Sequence, residues 1–185
     1  MHLDESGFSQ RPSVVRSWAP CGRTPTHRSA FNWKRLSVIG ALAVAPDLGR
    51  VRVFLSLRAG SVDHVAVVAF LRSLRRHLRV PALLVWDRLS AHIAGPTRKH
   101  LAGQRHWLDV EWLPAYAPEL NPVEYLWNHL DRTDLANFCP DDLGELAVQV
   151  QRGARRVRRR RELAFAFLKH SGLYPELSNI LCETQ

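Results

Sequence analysis

The sequence predicts an α/β layer structure, a mixed β-sheet flanked by helices, on the strength of three patterns. Apolar runs of strand length stand at Leu36 to Val44 and Ala82 to Trp86. Residues alternate in character from Val51 to Leu57 and from Trp107 to Leu113, and apolar residues recur at helical spacing between Val62 and Leu78. Strands, a helix, a strand, a helix, a strand and then helices make a layered order that a pure bundle or barrel lacks.

Met1 to Asp4 reads as a short first strand that delivers an acid almost at once. Ser9 to Arg35 is rich in Pro, Gly and Arg and reads as a loop or short hairpin, with a turn at Cys21-Gly22-Arg23-Thr24-Pro25. Leu36 to Val44 is nearly all apolar, as a strand buried on both faces must be. After the Pro46-Asp47-Leu48-Gly49 turn, the alternation from Val51 reads as its partner nearer an edge. Val65, Val68, Ala69, Leu71, Leu74 and Leu78 form one helical stripe with Arg72, Arg75 and Arg76 outside it, and Ser61 is the expected cap. Pro81 precedes Ala82 to Trp86, which ends on Asp87. A central parallel strand presenting a carboxylate at its C-terminal tip has this look.

Thr97 to Gly103 predicts a short helix and Trp107 to Leu113 a further strand, broken by Pro114. Asn121 caps a helix whose first residue is Pro122, which has no amide to donate. That helix carries Glu124 in its first turn and turns Val123, Leu126, Trp127 and Leu130 inward. Asp141 and Asp142 open a last long helix, Leu143 to Leu168. A single domain over 1–170 and an irregular tail over 171–185 account for the 185 residues.

Composition narrows the function. With 46% hydrophobic residues, 10 Gly and 11 Pro, the chain is neither disordered nor fibrous. Lys and Arg number 26 against 17 Asp and Glu, a formal charge of +9, which attracts polyanions, nucleic acid ahead of an acidic membrane surface. Cys21, Cys139 and Cys182 form neither a zinc pattern nor a disulfide ladder, so a reduced, cytoplasmic setting is expected. There is no secretory signal and no apolar run near the ~20 residues of a membrane span.

Asp4, Asp87 and Glu124 stand where chemistry would need them. If the first and fourth strands are neighbours, the two aspartates meet at one edge of the sheet and the helix leans the glutamate over them. Clustered carboxylates repel one another, and a cation is the natural means of keeping them ionised. Oxygen-only ligands suit Mg²⁺ or Mn²⁺ better than Zn²⁺. Two such ions about 3.5–4 Å apart serve in-line displacement at phosphorus, whether the nucleophile is water or a 3′-hydroxyl.

The string Leu113-Pro114-Ala115-Tyr116-Ala117-Pro118-Glu119-Leu120-Asn121-Pro122-Val123-Glu124-Tyr125-Leu126-Trp127 closely resembles the final acidic motif of the mariner-related DDE insertion-sequence transposases. Leu3-Asp4-Glu5-Ser6-Gly7-Phe8 resembles their first aspartate motif and Leu84 to His92 their second, while Trp33, Leu36 to Ala43 and Gly60 are similar to their middle strands and turn. The resemblance covers most of Leu3 to Leu130. It implies a ribonuclease H-like fold and Asp4, Asp87 and Glu124 as catalytic, metal-holding acids. It further implies metal-dependent cleavage and strand transfer on double-stranded DNA at element ends, usually by a cut-and-paste route into a TA target, in the cytoplasm at the nucleoid. Arg88 departs from the amide the family usually has after the second aspartate. Family members also carry helix-turn-helix domains ahead of the core, so self-association or an upstream-encoded helix-turn-helix fragment is expected to complete it, the gene being split, frameshifted, separately encoded or decayed. A catalytically inactive DNA-binding or regulatory remnant is the second reading. A general nuclease of the same fold is a third, against which the Leu113 motif argues.

His92 is a candidate for a phosphate or a metal-associated water, and Glu5 and Glu119 are nearby acids able to assist. Of the arginines from 152 to 161, Arg152, Arg155, Arg156 and Arg159 share one helical face and are expected, with Arg88 and His92, to contact DNA phosphates; Arg158, Arg160 and Arg161 spread around the helix.

Overall fold

A computed structural model describes residues 1–28 and 34–177, so the resemblance at Trp33, Cys182 and the end of the expected tail lie outside the described residues. Five strands form one sheet in the order β3-β2-β1-β4-β5. Strands β1 (His2–Ser9), β2 (Arg35–Val44) and β3 (Val51–Ala59) form an antiparallel meander, with Asp4 opposite Gly40 and Gly40 opposite Leu55. Helix α1 (His64–Leu78) returns the chain to β4 (Ala82–Trp86), which lies parallel to β1. One-turn α2 (Ser90–Ile93) and α3 (Gly95–Ala102) lead to β5 (Leu108–Trp112), parallel to β4. A 3₁₀ turn (Pro118–Leu120), α4 (Pro122–His129), a π turn (Leu130–Asp134), α5 (Leu143–Arg159) and α6 (Arg161–His170) follow. This is the mixed α/β arrangement expected, and it is consistent with a ribonuclease H-like fold.

The sheet is covered on both faces, which is why β2 reads as an unbroken apolar run. Leu36, Val38 and Leu42 pack with Val123, Leu126, Trp127 and Val150, whereas Ile39, Ala41 and Ala43 pack with Val67, Phe70, Leu71 and Leu74 on the other side. β1 runs five residues past Asp4, because its pairing with β2 continues to Ser9 opposite Arg35. Local sequence carries no sign of that pairing. Asp63, rather than Ser61, caps α1 by accepting from the Ala66 amide at 2.9 Å.

The single helix expected over Leu143 to Leu168 is two. Arg160, at φ −105° and ψ 89°, breaks it, and α6 turns to pack on α4 and β3, burying Ala164, Phe167 and Leu168. A straight helix would have carried those apolar residues past the sheet. Between Val157 and Leu163 every residue is charged, so the apolar stripe lapses where the helix bends. Among the described residues no helix is long and apolar enough to cross a membrane.

Candidate active site

Strand pairing brings the first two acids level. His2 sits opposite Val85, and the Val85 amide donates to the Met1 carbonyl at 2.8 Å, so Asp4 and Asp87 emerge side by side two residues further on. Asn121 fixes the third. Its side-chain oxygen accepts from the Val123 amide at 3.2 Å, and its Nδ2 donates to the Leu3 carbonyl at 3.4 Å, tying the start of α4 to the strand residue just before Asp4. Glu124 and Trp127 are three residues apart and share a helical face. Trp127 Nε1 donates to Asp4 Oδ2 at 2.7 Å.

Gly40 makes room for that indole. A Cβ at Gly40 would stand 2.4 Å from Trp127 Cη2, so glycine is what lets the edge of the indole come this close to β2 beside Asp4. Sequence reading placed Trp127 in the core and passed over Gly40. A glycine inside an apolar strand is the signal of close approach that would have found it.

Asp4, Asp87 and Glu124 line one cavity of about 380 Å³, together with Arg88, Asn121 and the loop from Leu113 to Pro118. Burial, with Glu124 beside it, pushes the Asp4 carboxyl up to about 8, although the Trp127 hydrogen bond opposes this. Glu124 is raised as well, by burial and by Asp87. Both shifts favour the protonated acids unless a positive charge is brought among them.

Asp87 is held differently. Burial opposes its ionisation, but hydrogen bonds from His92 and from the Leu89 amide overcome this and keep the carboxyl below its usual value. His92 is fully buried, with Nδ1 2.6 Å from Asp87 Oδ1 and Nε2 2.8 Å from Glu5 Oε2. Burial disfavours the imidazolium, yet these two carboxylates push it up to about 9. Trp86 Nε1 also lies 2.8 Å from His92 Nε2. One nitrogen cannot both accept that N–H and donate to Glu5. With His92 protonated, the Glu5 bond is the one made and the indole serves as a tilted ring whose centroid lies 3.7 Å from that of the imidazole. Buried in this way, His92 meets carboxylates and has no surface to offer a phosphate.

Among the described residues, no three His, Cys, Asp or Glu side chains already stand close enough to hold a metal ion. Asp4 is turned to Trp127 and Asp87 to His92. Glu119 is exposed on the 3₁₀ turn and does not line the cavity.

The expected phosphate-binding arginines separate. Arg88 is exposed at the cavity. Arg152, Arg155 and Arg159 are exposed on α5, which packs on β2 and β3, away from β4. Arg156, half exposed, lies 3.1 Å from the buried Asp134, without the angle of a hydrogen bond. Arg158 Nε donates to the Val53 carbonyl at 2.9 Å, and Arg161 reaches the Gly49 carbonyl.

The sequence model described as DDE superfamily endonuclease matches residues 1–146. No curated protein matches the chain. Among solved structures, the Mos1 strand transfer complex matches at TM-score 0.59 and 18% identity, covering 94% of this chain and 54% of that one. The Mos1 mariner paired end complex with Mn matches at TM-score 0.59 and 19% identity, covering 94% and 55%. The catalytic domain of Mos1 mariner transposase matches at TM-score 0.52 and 13% identity, covering 92% and 82%. These likenesses show a shared fold, and the chain spans about half the length of the first two.

Proposed function

Because the chain belongs to the DDE superfamily endonucleases, we propose that it is the catalytic core of a mariner-related transposase, cutting and joining DNA strands at element ends with Mg²⁺ or Mn²⁺. One observation carries the reading: acids from three distant segments, Asp4, Asp87 and Glu124, line a single cavity in which two of them are driven toward protonation by burial and mutual repulsion. An oxygen-only donor set so strained suits hard divalent cations, and these three side chains would hold two of them. Bound there, the ions would supply Lewis-acid charge at the scissile phosphate.

The chain's own residues prepare the cavity. Trp127 holds one Asp4 oxygen and His92 one Asp87 oxygen, so each carboxylate keeps its other oxygen for a cation. Glu5 secures His92 from behind, a positioning role. Asp4 and Glu124 would both be held ionised by the cations' charge. Arg88 at the cavity and Arg152, Arg155 and Arg159 on α5 are assigned to DNA phosphates, giving sequence-independent, salt-dependent affinity. Arg156 joins them only in part, being paired with Asp134. A second copy or a helix-turn-helix fragment supplies recognition of the element end, and the work is done in the cytoplasm at the nucleoid.

Arg88 also favours a second reading, an inactive DNA-binding remnant, because it brings a fixed positive charge to the cavity where the cations would sit. Labelled element-end DNA incubated with Mn²⁺ or Mg²⁺ separates the two. Wild type should nick it, and Asp87→Ala and Glu124→Gln should lose roughly 10³-fold or more in rate while still binding. Equal binding by all three proteins with cleavage by none gives the remnant reading.

A further inference from the structure

The mouth of the acidic cavity carries an aromatic side chain that the fold leaves in solvent. Tyr116 lines that cavity, yet it is fully exposed, and among the described residues it has neither a hydrogen bond nor a ring contact. Its backbone lies in the left-handed region, φ 59°, which is costly for any residue with a Cβ. The other non-glycine residues in that region have local reasons to be there. Leu48 closes the β2–β3 turn through its amide to Ala45, Arg79 caps α1, and Asn137 bonds both backbone groups of Val15. No such tie accounts for Tyr116. Pro114 and Pro118 restrict the backbone on either side, and Ala115 and Ala117 leave both faces of the ring open. The fold therefore holds a large amphipathic ring in an unfavourable backbone state where it packs on nothing of its own.

We propose that Tyr116 stacks on a nucleobase unstacked from its neighbours beside the phosphodiester that enters the acidic cavity. The proposal rests on the cavity being a DNA-strand site. A base is the ligand its chemistry fits. The uncharged phenol adds nothing to phosphate binding that Arg88 does not supply better, whereas its free faces match the π-face of any base without regard to sequence. A base in intact duplex has both faces covered. The partner is therefore a nucleotide whose stacking is lost as its phosphate is drawn between Asp87 and Glu124.

The test compares wild type with Tyr116→Ala and Tyr116→Phe on element-end DNA bearing 5-iodouracil beside the cut, first in a metal chelator and then in Mn²⁺. Irradiation of the wild-type complex should give an adduct on Tyr116, located by peptide mass spectrometry. Tyr116→Ala should bind about 10-fold more weakly, Tyr116→Phe like wild type, with melting temperatures unchanged because the ring packs on nothing. Wild-type affinity in Tyr116→Ala, weakness in Tyr116→Phe equal to that of Tyr116→Ala, or an adduct only elsewhere overturns the proposal. The broader reading fails separately: wild type that forms the adduct but never cleaves in Mn²⁺ retains the stacking contact and loses the catalytic assignment.

Discussion

Two charged regions of this protein are built on opposite principles. In the cavity, acids 83 and 37 positions apart (87 − 4 and 124 − 87) are brought together and partly buried, and a neutral and a cationic neighbour hold the two aspartates in place. On α5 and α6, seven arginines crowded within Arg152–Arg161 are spread out by the fold, most of them in solvent and three hooked to Asp134, Val53 or Gly49. Like charges in water at one place cost little, since solvent screens them. Converged inside a cavity, they require a proton or a cation. The acidic region is therefore strained until loaded, and the basic region is at rest while empty.

Glycine at a close contact serves both regions, and replacing it is the strongest way to break the comparison. Gly40→Ala would drive a Cβ into Trp127, costing about 1–3 kcal/mol in overpacking and displacing the Asp4 donor. Gly153 on α5 is as tight, 2.6 Å from Asp134 Cγ and Leu130 Cδ2. There the gain in helix propensity of up to ~1 kcal/mol offsets part of the loss. Thermal melts should accordingly show a larger drop for Gly40→Ala than for Gly153→Ala; equal drops would mean the indole moves aside freely.

The arginines should divide by partner. Arg156→Ala leaves the buried Asp134 carboxylate without its cation and should cost about 1–2 kcal/mol, discounted from a fully buried pair because Arg156 is half exposed. Arg155→Ala should change stability by less than about 0.5 kcal/mol and instead lower the salt dependence of DNA binding by about one counterion. Melting curves and a salt titration of binding read both. A destabilising Arg155→Ala would blur the line between hooked and solvated arginines.

A last effect is one of pH. The folded Asp4 value, about 8, lies above its ordinary 3.8, so between those values the folded state binds the extra proton and stability falls as pH rises. Asp4→Asn removes this dependence. In the absence of metal, its melting temperature relative to wild type should climb from pH 4 to pH 8 and level off above; a flat difference would mean that Asp4 ionises normally in the cavity.

Much of this architecture was legible in the chain because local patterns report local burial. The double-sided burial of β2, the Asn121-Pro122 start of α4 and Asp87 at the tip of β4 follow from side-chain period and capping chemistry. Glu5 and His92 were visible as nearby residues, but their ion pair spans 87 positions and has no local sign. Nor did anything local show that His92 turns inward or that β1 continues to Ser9, whereas the break after α5 does have a local sign, the all-charged run between Val157 and Leu163.

By itself the sequence determined the element types, the three acids, and the basic surplus that favours a polyanion, since each depends on residues adjacent in the chain or on composition. The tertiary structure decided what those residues face. Pairing of β1 with β4 set Asp4 beside Asp87, Gly40 admitted the indole that holds Asp4, and Glu5 took His92 away from solvent. These are contacts between distant segments, and their energies depend on burial and separation in space, which no local pattern encodes.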